Sequence, residues 1–237
     1  MKIHITCQPS YSLGYCLMDV GENLLVERDG MAKMSLGLDV DVGVGPGGMV
    51  KAAMRKHLGG ESFFMGRYTA TAHGAWIAVA PPFPGDIKVV DVAPGKPGIL
   101  CGSGSLIACQ GACGNVAGVT VDVRWAGVRR ILLKEGATVL HLDGHGSVLL
   151  GSYGGIEEFS LGAGETVVVD SGHLVAWEDT VDMSVGPLSS ASTAVFTGEW
   201  LVAKLTGPGQ VWTQTRSEEA LGNFLMPNRK QNTGRRR

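Results

Sequence analysis

Short runs of β-branched and aliphatic residues recur along the chain, and most of them are bounded by glycine or proline. Clear examples are residues 87–92, 131–133, 164–170 and 173–177. Runs of this length and composition between turn-forming residues are typical of β-strands. Because these strands follow one another with few helical segments between them, the pattern predicts an all-β fold of antiparallel sheets in a sandwich or barrel.

Three segments have a weaker helical character. Residues 49–58 and 188–196 follow glycine or proline, and residues 218–225 end shortly before Pro227. Helices are expected to stop near a proline. We therefore predict a few short connector helices that pack on the sheets.

Glycine-bounded hairpins recur at regular intervals, which indicates internal repeats. One set of equivalent turns is marked by Gly21 with Gly30, Gly95 with Gly104, and Gly164 with Gly172, and a second set by Gly74, Gly146 and Gly209. The spacing predicts three tandem, pseudo-symmetric repeats at about 1–86, 87–155 and 156–225. They would form a single all-β domain over residues 1–226, followed by a basic disordered tail at 227–237.

Composition supports a folded chain and explains its glycines. Glycine accounts for 36 of 237 residues, about twice the usual ~7 %. Hydrophobic residues make up 44 % and charged residues 18 %, which excludes intrinsic disorder. The glycine excess is therefore assigned mainly to turns, where a positive φ disfavours any residue with a Cβ.

The charge distribution weakly opposes a nucleic-acid function for the body of the chain. The formal net charge is −2, yet the last nine residues hold five basic side chains and no acidic one. The rest of the chain is therefore more acidic than the total suggests, whereas nucleic-acid-binding domains are usually basic. No apolar run has the length of a signal peptide or a membrane span, and the odd number of cysteines lacks a C-x-x-C pair. We expect reduced thiols and a cytoplasmic protein.

Several longer motifs resemble one known family. They occupy residues 59–64, 80–87, 152–158, 164–178 and 207–217. The chain is similar in these motifs to the bacterial and archaeal relatives of the mitochondrial biogenesis family "altered inheritance of mitochondria protein 24". The resemblance implies a fold like that of the trp RNA-binding attenuation protein, of double-stranded β-helix type and triplicated in one chain. It implies no catalytic residue and no cofactor, and its mitochondrial members are linked to inner-membrane organisation.

One turn carries possible metal ligands. His141, Asp143 and His145 place two imidazoles and a carboxylate around Gly144, and zinc accepts such nitrogen and oxygen ligands. A further histidine, His73 or His173, would be needed to complete the set. A polar hairpin end is the competing interpretation, and the family resemblance names no histidine cluster there.

Basic residues form two further candidate surfaces. Arg124, Arg129 and Arg130 flank Trp125, and aromatic rings between basic groups are typical of single-strand nucleic-acid binding. The tail adds Arg235, Arg236 and Arg237. A tail of this charge is also attracted to anionic lipid.

Two other motifs are assigned to structure. Gly43–Gly48 spells G-x-G-x-x-G, but the βαβ unit that a dinucleotide site requires is missing. The cysteines have no basic neighbour in sequence that would lower a thiol pKa.

The sequence thus favours a non-enzymatic binding or assembly module without a cofactor. Edge strands of the repeats offer surfaces for pairing between chains, so we expect a closed homo-oligomer, with a trimer favoured. Three alternatives stay open: a nucleic-acid-binding protein, a membrane-associated assembly factor, and a metal-dependent enzyme at His141, Asp143 and His145.

Overall fold

The computed structural model describes residues 1–44, 65–124, 139–187 and 201–226. These ranges are dominated by strands. The strands are β1 (Lys2–Thr6), β2 (Leu13–Met18), β3 (Asn23–Glu27), β4 (Met31–Met34), β5 (Leu38–Val44), β6 (Met65–Ala70), β7 (Ala75–Val79), β8 (Ile87–Val92), β9 (Ile99–Gly102), β10 (Leu106–Gln110), β11 (Val119–Arg124), β12 (Val139–Gly144), β13 (Gly146–Gly151), β14 (Ile156–Leu161), β15 (Thr166–Asp170), β16 (Leu174–Glu178), β17 (Asp182–Pro187), β18 (Leu201–Thr206) and β19 (Gly209–Gln214).

The strands form four antiparallel sheets, so the predicted all-β antiparallel class is confirmed. Two sheets have six strands, in the orders β5-β6-β3-β10-β13-β8 and β11-β12-β9-β16-β19-β14. The other two are smaller, with the orders β1-β2-β7-β4 and β15-β18-β17. Each six-stranded sheet therefore combines strands that are distant in sequence.

The same pairing order occurs in three consecutive segments of six strands each: β2 to β7, β8 to β13, and β14 to β19. In every segment the first strand pairs with the sixth, and the third strand also pairs with the sixth. The second and fourth strands both pair with the fifth. The six strands of a segment thus divide into two three-stranded halves.

A β-bulge lies at the corresponding place in each segment, where the third strand pairs with the sixth. It falls between Met31 and Lys33, between Leu106 and Ala108, and between Leu174 and Ala176. A bulge inserts one extra residue and increases the local twist. These bulges give an internal reference for aligning the third strands of the three segments.

Two joints link neighbouring segments, each formed by the second strand of one segment and the third strand of the next. In the first joint β3 pairs with β10, and in the second β9 pairs with β16. The corresponding strands left over, β15 and β4, lie at the ends of the two smaller sheets.

The core is a stack of apolar layers between the sheets. One cluster contains Ile77 and Leu149, a second contains Leu142 and Leu150, and a third contains Trp177 with residues of β15 and β18. The neighbours Leu149 and Leu150 on β13 belong to different clusters. Successive strand residues point to opposite faces, so β13 is covered on both faces.

Two connecting segments are hydrogen-bonded to each other: the one that precedes β8 and the one that precedes β14. The amide of Asp86 donates to the carbonyl of Gly154 at 3.0 Å, and the amide of Ser152 donates to the carbonyl of Asp86 at 3.1 Å. Gly85 and Gly154 form an isolated parallel bridge. A Cβ at Gly85 would stand 1.6 Å from the carbonyl oxygen of Ser152, so only glycine permits this approach.

The predicted local elements agree with the structure where they are described. The run at 173–177 is β16, shifted by one residue because Ser171–His173 forms a 3-10 turn. The helix predicted at 218–225 is confirmed as α1 (Glu218–Leu225), and the side chain of Ser217 accepts from the amide of Ala220. The predicted helices at 49–58 and 188–196, the strand at 131–133 and the tail lie outside the described residues.

Candidate functional site

His141 lies on β12 and faces a turn that follows β16. Its Nε2 atom is 3.0 Å from Oδ2 of Asp179, and its residue exposure is 9 %. The amide of Asp179 donates to the carbonyl of Gly98 at 2.9 Å. A Cβ on Gly98 would come within 2.5 Å of His141 Nε2. The pair is therefore built into a close contact between β12, the entry to β9 and the turn after β16.

The other two residues of the predicted metal turn do not join this pair. Asp143 is exposed, and its Oδ1 accepts from the amide of Gly144 at 2.6 Å. His145 is also exposed, and its amide donates to the carbonyl of Gly118 at 3.2 Å. The structure thus separates a mostly buried imidazole from two solvated groups beyond it on the same hairpin.

The histidines considered as a further ligand are engaged elsewhere. The Nδ1 atom of His173 lies 2.7 Å from the carbonyl oxygen of Gln214. His73 is exposed and lies 3.8 Å from a carboxylate oxygen of Asp19. Within the described ranges, no group of three or more His, Cys, Asp or Glu side chains is arranged to hold a metal ion.

The central cysteines are buried thiols. Burial raises the pKa of Cys16 and of Cys109 to about 12, from an ordinary value of 9.0. Cys101 is fully buried as well, and burial together with the neighbouring Cys109 raises its pKa further. A thiol with a raised pKa is a poor nucleophile at neutral pH because its thiolate is scarce. These three cysteines fill the core between the sheets.

The basic surfaces fall mostly beyond the described residues. Arg124 ends β11, where its backbone pairs with Val139. Arg129 and Arg130 lie outside the described residues, as do the tail arginines Arg235, Arg236 and Arg237 and the glycine-rich loop from Gly45 onward. The nucleic-acid surface therefore stays a prediction.

A cleft of about 100 Å³ lies where the connecting segments meet. Phe83 and Tyr153 form one wall, with ring centroids 5.4 Å apart. Gln214 connects two parts of the cleft lining. Its Oε1 accepts from the amide of Tyr153 at 2.8 Å, and its Nε2 donates to the carbonyl of Gly172 at 2.9 Å. The polar groups of Gln214 thus bind the protein's own backbone.

Open apolar side chains are concentrated between residues 31 and 42. Met31 and Met34 on β4 are exposed by 39 % and 38 %, Leu36 is fully exposed, and Val42 on β5 is exposed by 79 %. Every residue of β4 is exposed. The sequence does not reveal this surface, because a strand covered on both faces and an open one have similar compositions.

Taken together, the fold and these surfaces define a class: an all-β protein of stacked antiparallel sheets with an open apolar edge. The chain belongs to the AIM24 family, since the family model described as mitochondrial biogenesis AIM24 matches residues 3–216. None of the helices in the described part of the chain has the length and apolar character needed to cross a membrane.

Two matches to the chain come from Streptococcus pyogenes. An uncharacterized protein of the serotype M6 strain is 26 % identical over 183 residues, which cover 77 % of this chain and 71 % of that protein. A solved crystal structure of a protein from Streptococcus pyogenes, a structural genomics target, has a TM-score of 0.73 at 22 % identity. The match covers 95 % of this chain and 98 % of the solved one. This likeness shows that the two chains share the fold.

Proposed function

We propose that this protein is a non-enzymatic binding or assembly module that works as a homo-oligomer, with a closed trimer as the favoured form. The observation that carries the proposal is the open apolar segment from Met31 to Val42. Monomeric soluble proteins rarely leave large apolar patches in water, and such patches mark interaction surfaces.

The strand edge in this segment adds to the argument. An edge strand presents unpaired N–H and C=O groups, which natural proteins usually cover or blunt. β4 ends its sheet, and its two methionines are open to solvent. An apolar edge of this kind is stabilised when another strand covers it.

The polar chemistry of the described residues favours binding over catalysis. His141 is held by Asp179, and three of the cysteines are buried with raised pKa values. The cleft between the connecting segments has a volume of only about 100 Å³, and Gln214 in its lining is bonded to backbone groups. The alternatives of membrane association and of a metal-dependent enzyme gain no support from these contacts.

The experiment is sedimentation of the full chain over a range of micromolar concentrations. We expect a species several times heavier than the 24.8 kDa chain, at three times that mass for a trimer. The variant Leu36→Lys places a charge in the open segment without touching the core, and it should shift the equilibrium toward the single chain.

The matched control is Val116→Lys, which adds the same charge at a side chain that is 56 % exposed outside the segment. It should leave the sedimentation profile unchanged. A single-chain species at every concentration would overturn the proposal, and equal effects of the two lysine variants would show that the open segment is not the contact.

A further inference from the structure

We propose that chains associate by strand pairing between β15 of one copy and β4 of a second copy, in the register of the two joints inside the chain. This inference rests on the proposed homo-oligomer and specifies its interface. The partner is therefore another molecule of the same protein, and the contact is a third joint of the kind that the chain already contains twice.

The order of the described strands leaves one second-position strand and one third-position strand without a joint. The second strand of the first segment pairs with β10, and the second strand of the next segment pairs with β16. The remaining second-position strand is β15, and the remaining third-position strand is β4. Both are terminal strands of their sheets. A β15–β4 joint would turn the two smaller sheets into one composite sheet of seven strands, in which six strands repeat the order of the existing six-stranded sheets and β1 is added at the end.

The third-position strands differ in burial. β10 is buried at four of its five residues, and β16 at three of five. Their counterpart β4 is exposed at all four residues. The strand that lacks a joint is thus the one left open to solvent.

The second-position strands differ in the same direction. β3 and β9 are buried or half-buried throughout. Their counterpart β15 is exposed at three of its five residues. Val168, at the centre of β15, is 50 % exposed, although a valine in a paired central strand is normally covered. Among the residues that the structure describes, both halves of the third joint are therefore exposed.

The two existing joints share one register. In the first, Val26 lies opposite Ala108, and Leu25 lies opposite Cys109. Ala108 is the residue that directly follows the bulge of its strand. The apolar pair of Leu25 and Cys109 is the next pair along the two strands.

In the second joint, Cys101 lies opposite Ala176, and Leu100 lies opposite Trp177. Ala176 again directly follows the bulge. Cys101 stands two residues before a 3-10 turn that begins at Ser103. In the first joint Val26 likewise stands two residues before a turn, at residues 28–30. The bulge and the turn therefore mark the same register in both joints.

The same two markers set the register of the third joint. Lys33 directly follows the bulge of β4, and Val169 stands two residues before the 3-10 turn that begins at Ser171. Val169 of one copy is thus opposite Lys33 of the other. Val168 is then opposite Met34, which places two exposed apolar side chains together, as Leu25 and Cys109 are in the first joint. Aliphatic pairs of this kind stabilise neighbouring strands.

Lys33 is the one departure from the pattern, because the two existing joints have alanine at this position. Its Nζ atom lies 5.2 Å from the centre of the Tyr15 ring. This position holds the charge over β2, which belongs to the same sheet and is separated from β4 by β7. A lysine at an edge also discourages pairing with unrelated strands, so it is compatible with a specific partner.

The contact is head-to-tail, because β15 of each copy meets β4 of the next. Contacts of this kind form closed rings when the rotation between copies closes. Each copy uses one β4 and one β15, so a ring leaves neither strand open.

The register is tested by disulfide trapping between full-length chains. In a background with Cys7→Ser and Cys113→Ser, the variant Met34→Cys is mixed with the variant Val168→Cys and oxidised. Opposite residues in an antiparallel pair have Cα atoms about 4.5–5.5 Å apart, within the range for a disulfide. We expect a disulfide-linked dimer that contains one chain of each variant, and no dimer from either variant alone.

The register control replaces Met34→Cys with Met31→Cys. That residue is three positions away along β4, or about 10 Å, and should give no linked dimer with Val168→Cys. Linkage of both cysteines to the same extent would contradict the proposed register.

A second experiment uses charge. The double variant Met34→Lys with Val168→Lys should dissociate the oligomer, and Met34→Lys with Val168→Asp should restore it. Both sites are exposed, so the single chain should keep its circular dichroism spectrum in each variant.

Failure of this inference differs from failure of the proposed function. An oligomer in sedimentation without any Met34→Cys to Val168→Cys linkage would overturn the joint and leave the assembly module standing. A disulfide within one chain of the variant that carries both cysteines, without linkage between chains, would show that the third joint closes internally and would also overturn the inference. A single-chain species in sedimentation would overturn both.

Discussion

The Nε2 atom of His141 lies 3.0 Å from Oδ2 of Asp179, and Gly98 stands against both side chains. A Cβ on Gly98 would be 2.5 Å from that nitrogen and 2.8 Å from that oxygen. The pair links β12, in the fifth position of its segment, to the turn that leaves β16 in the next segment. It therefore ties two segments together beside their joint.

The variant Gly98→Ala should destabilise this contact. The added methyl group must push His141 and Asp179 apart, because both atoms would lie closer than van der Waals contact allows. We expect a loss of about 1–3 kcal/mol in the free energy of unfolding, measured by urea denaturation.

The control for this variant is Gly104→Ala. A Cβ at Gly104 meets nothing within 4 Å, so that variant should unfold within about 0.5 kcal/mol of the parent. Equal losses at both positions would contradict a specific role for the space around the histidine pair.

The variant Gly85→Ala should be more damaging than Gly98→Ala. Its Cβ would stand 1.6 Å from the carbonyl oxygen of Ser152, and backbone cannot rotate away as a side chain can. We expect a loss of about 3 kcal/mol or more, or failure to fold, measured by urea denaturation and by soluble yield. Stability equal to that of Gly186→Ala, where a Cβ meets nothing within 4 Å, would refute the close approach of the connecting segments.

Leu149 and Leu150 should be equally sensitive to truncation. They are adjacent on β13, each is fully buried, and they belong to different core clusters. Leu149→Ala and Leu150→Ala should each cost about 2–5 kcal/mol of the free energy of unfolding. Leu17→Ala on β2, where the side chain is 44 % exposed, should cost clearly less. A tolerant position among the two core leucines would mean that one face of β13 is open.

The thiols should react in two groups. Cys7 is exposed and Cys113 is half-buried, so a thiol reagent should modify them in the native protein. Cys16, Cys101 and Cys109 are buried with raised pKa values, and they should react only after unfolding. Titration with a chromogenic disulfide before and after denaturant measures both groups, and rapid native reaction of all five cysteines would contradict the packing.

The same raised pKa values predict a loss of stability in alkali. In the unfolded chain these thiols ionise near the ordinary value of 9.0, whereas in the folded chain Cys16 and Cys109 ionise at about 12. Between those pH values the unfolded state loses protons that the folded state retains, so the free energy of unfolding falls as pH rises. The slope is about 1.4 kcal/mol per pH unit for each thiol. Urea denaturation across this range should show a shallower slope in Cys109→Ala.

The sequence allowed the local elements of the fold to be predicted more easily than its contacts. The run at 87–92 is β8, and the segment at 218–225 is α1, because alternation, turn residues and a capping serine act over a few neighbours. The joint between Leu25 and Cys109 connects positions far apart in the chain. Nothing in either strand specifies its partner, so the pattern alone could not reveal the joint.

The candidate site shows the same difference between neighbours in sequence and contacts in space. The sequence groups His141, Asp143 and His145 because they are neighbours along the chain. The structure instead places His141 against Asp179, a residue 38 positions away. The decisive signal is Gly98, whose lack of a side chain matters only when β9 and β12 are already side by side.

The exposure of β4 has a consequence for how this protein can change. Ala108 and Ala176 sit inside packed joints, where a larger or charged residue would disturb the fold. Lys33 occupies the corresponding position on an open strand. A substitution at Lys33 does not disturb the packing of the single chain, because the side chain is exposed. Natural variation at this edge can therefore change the partner that the strand binds without changing the fold.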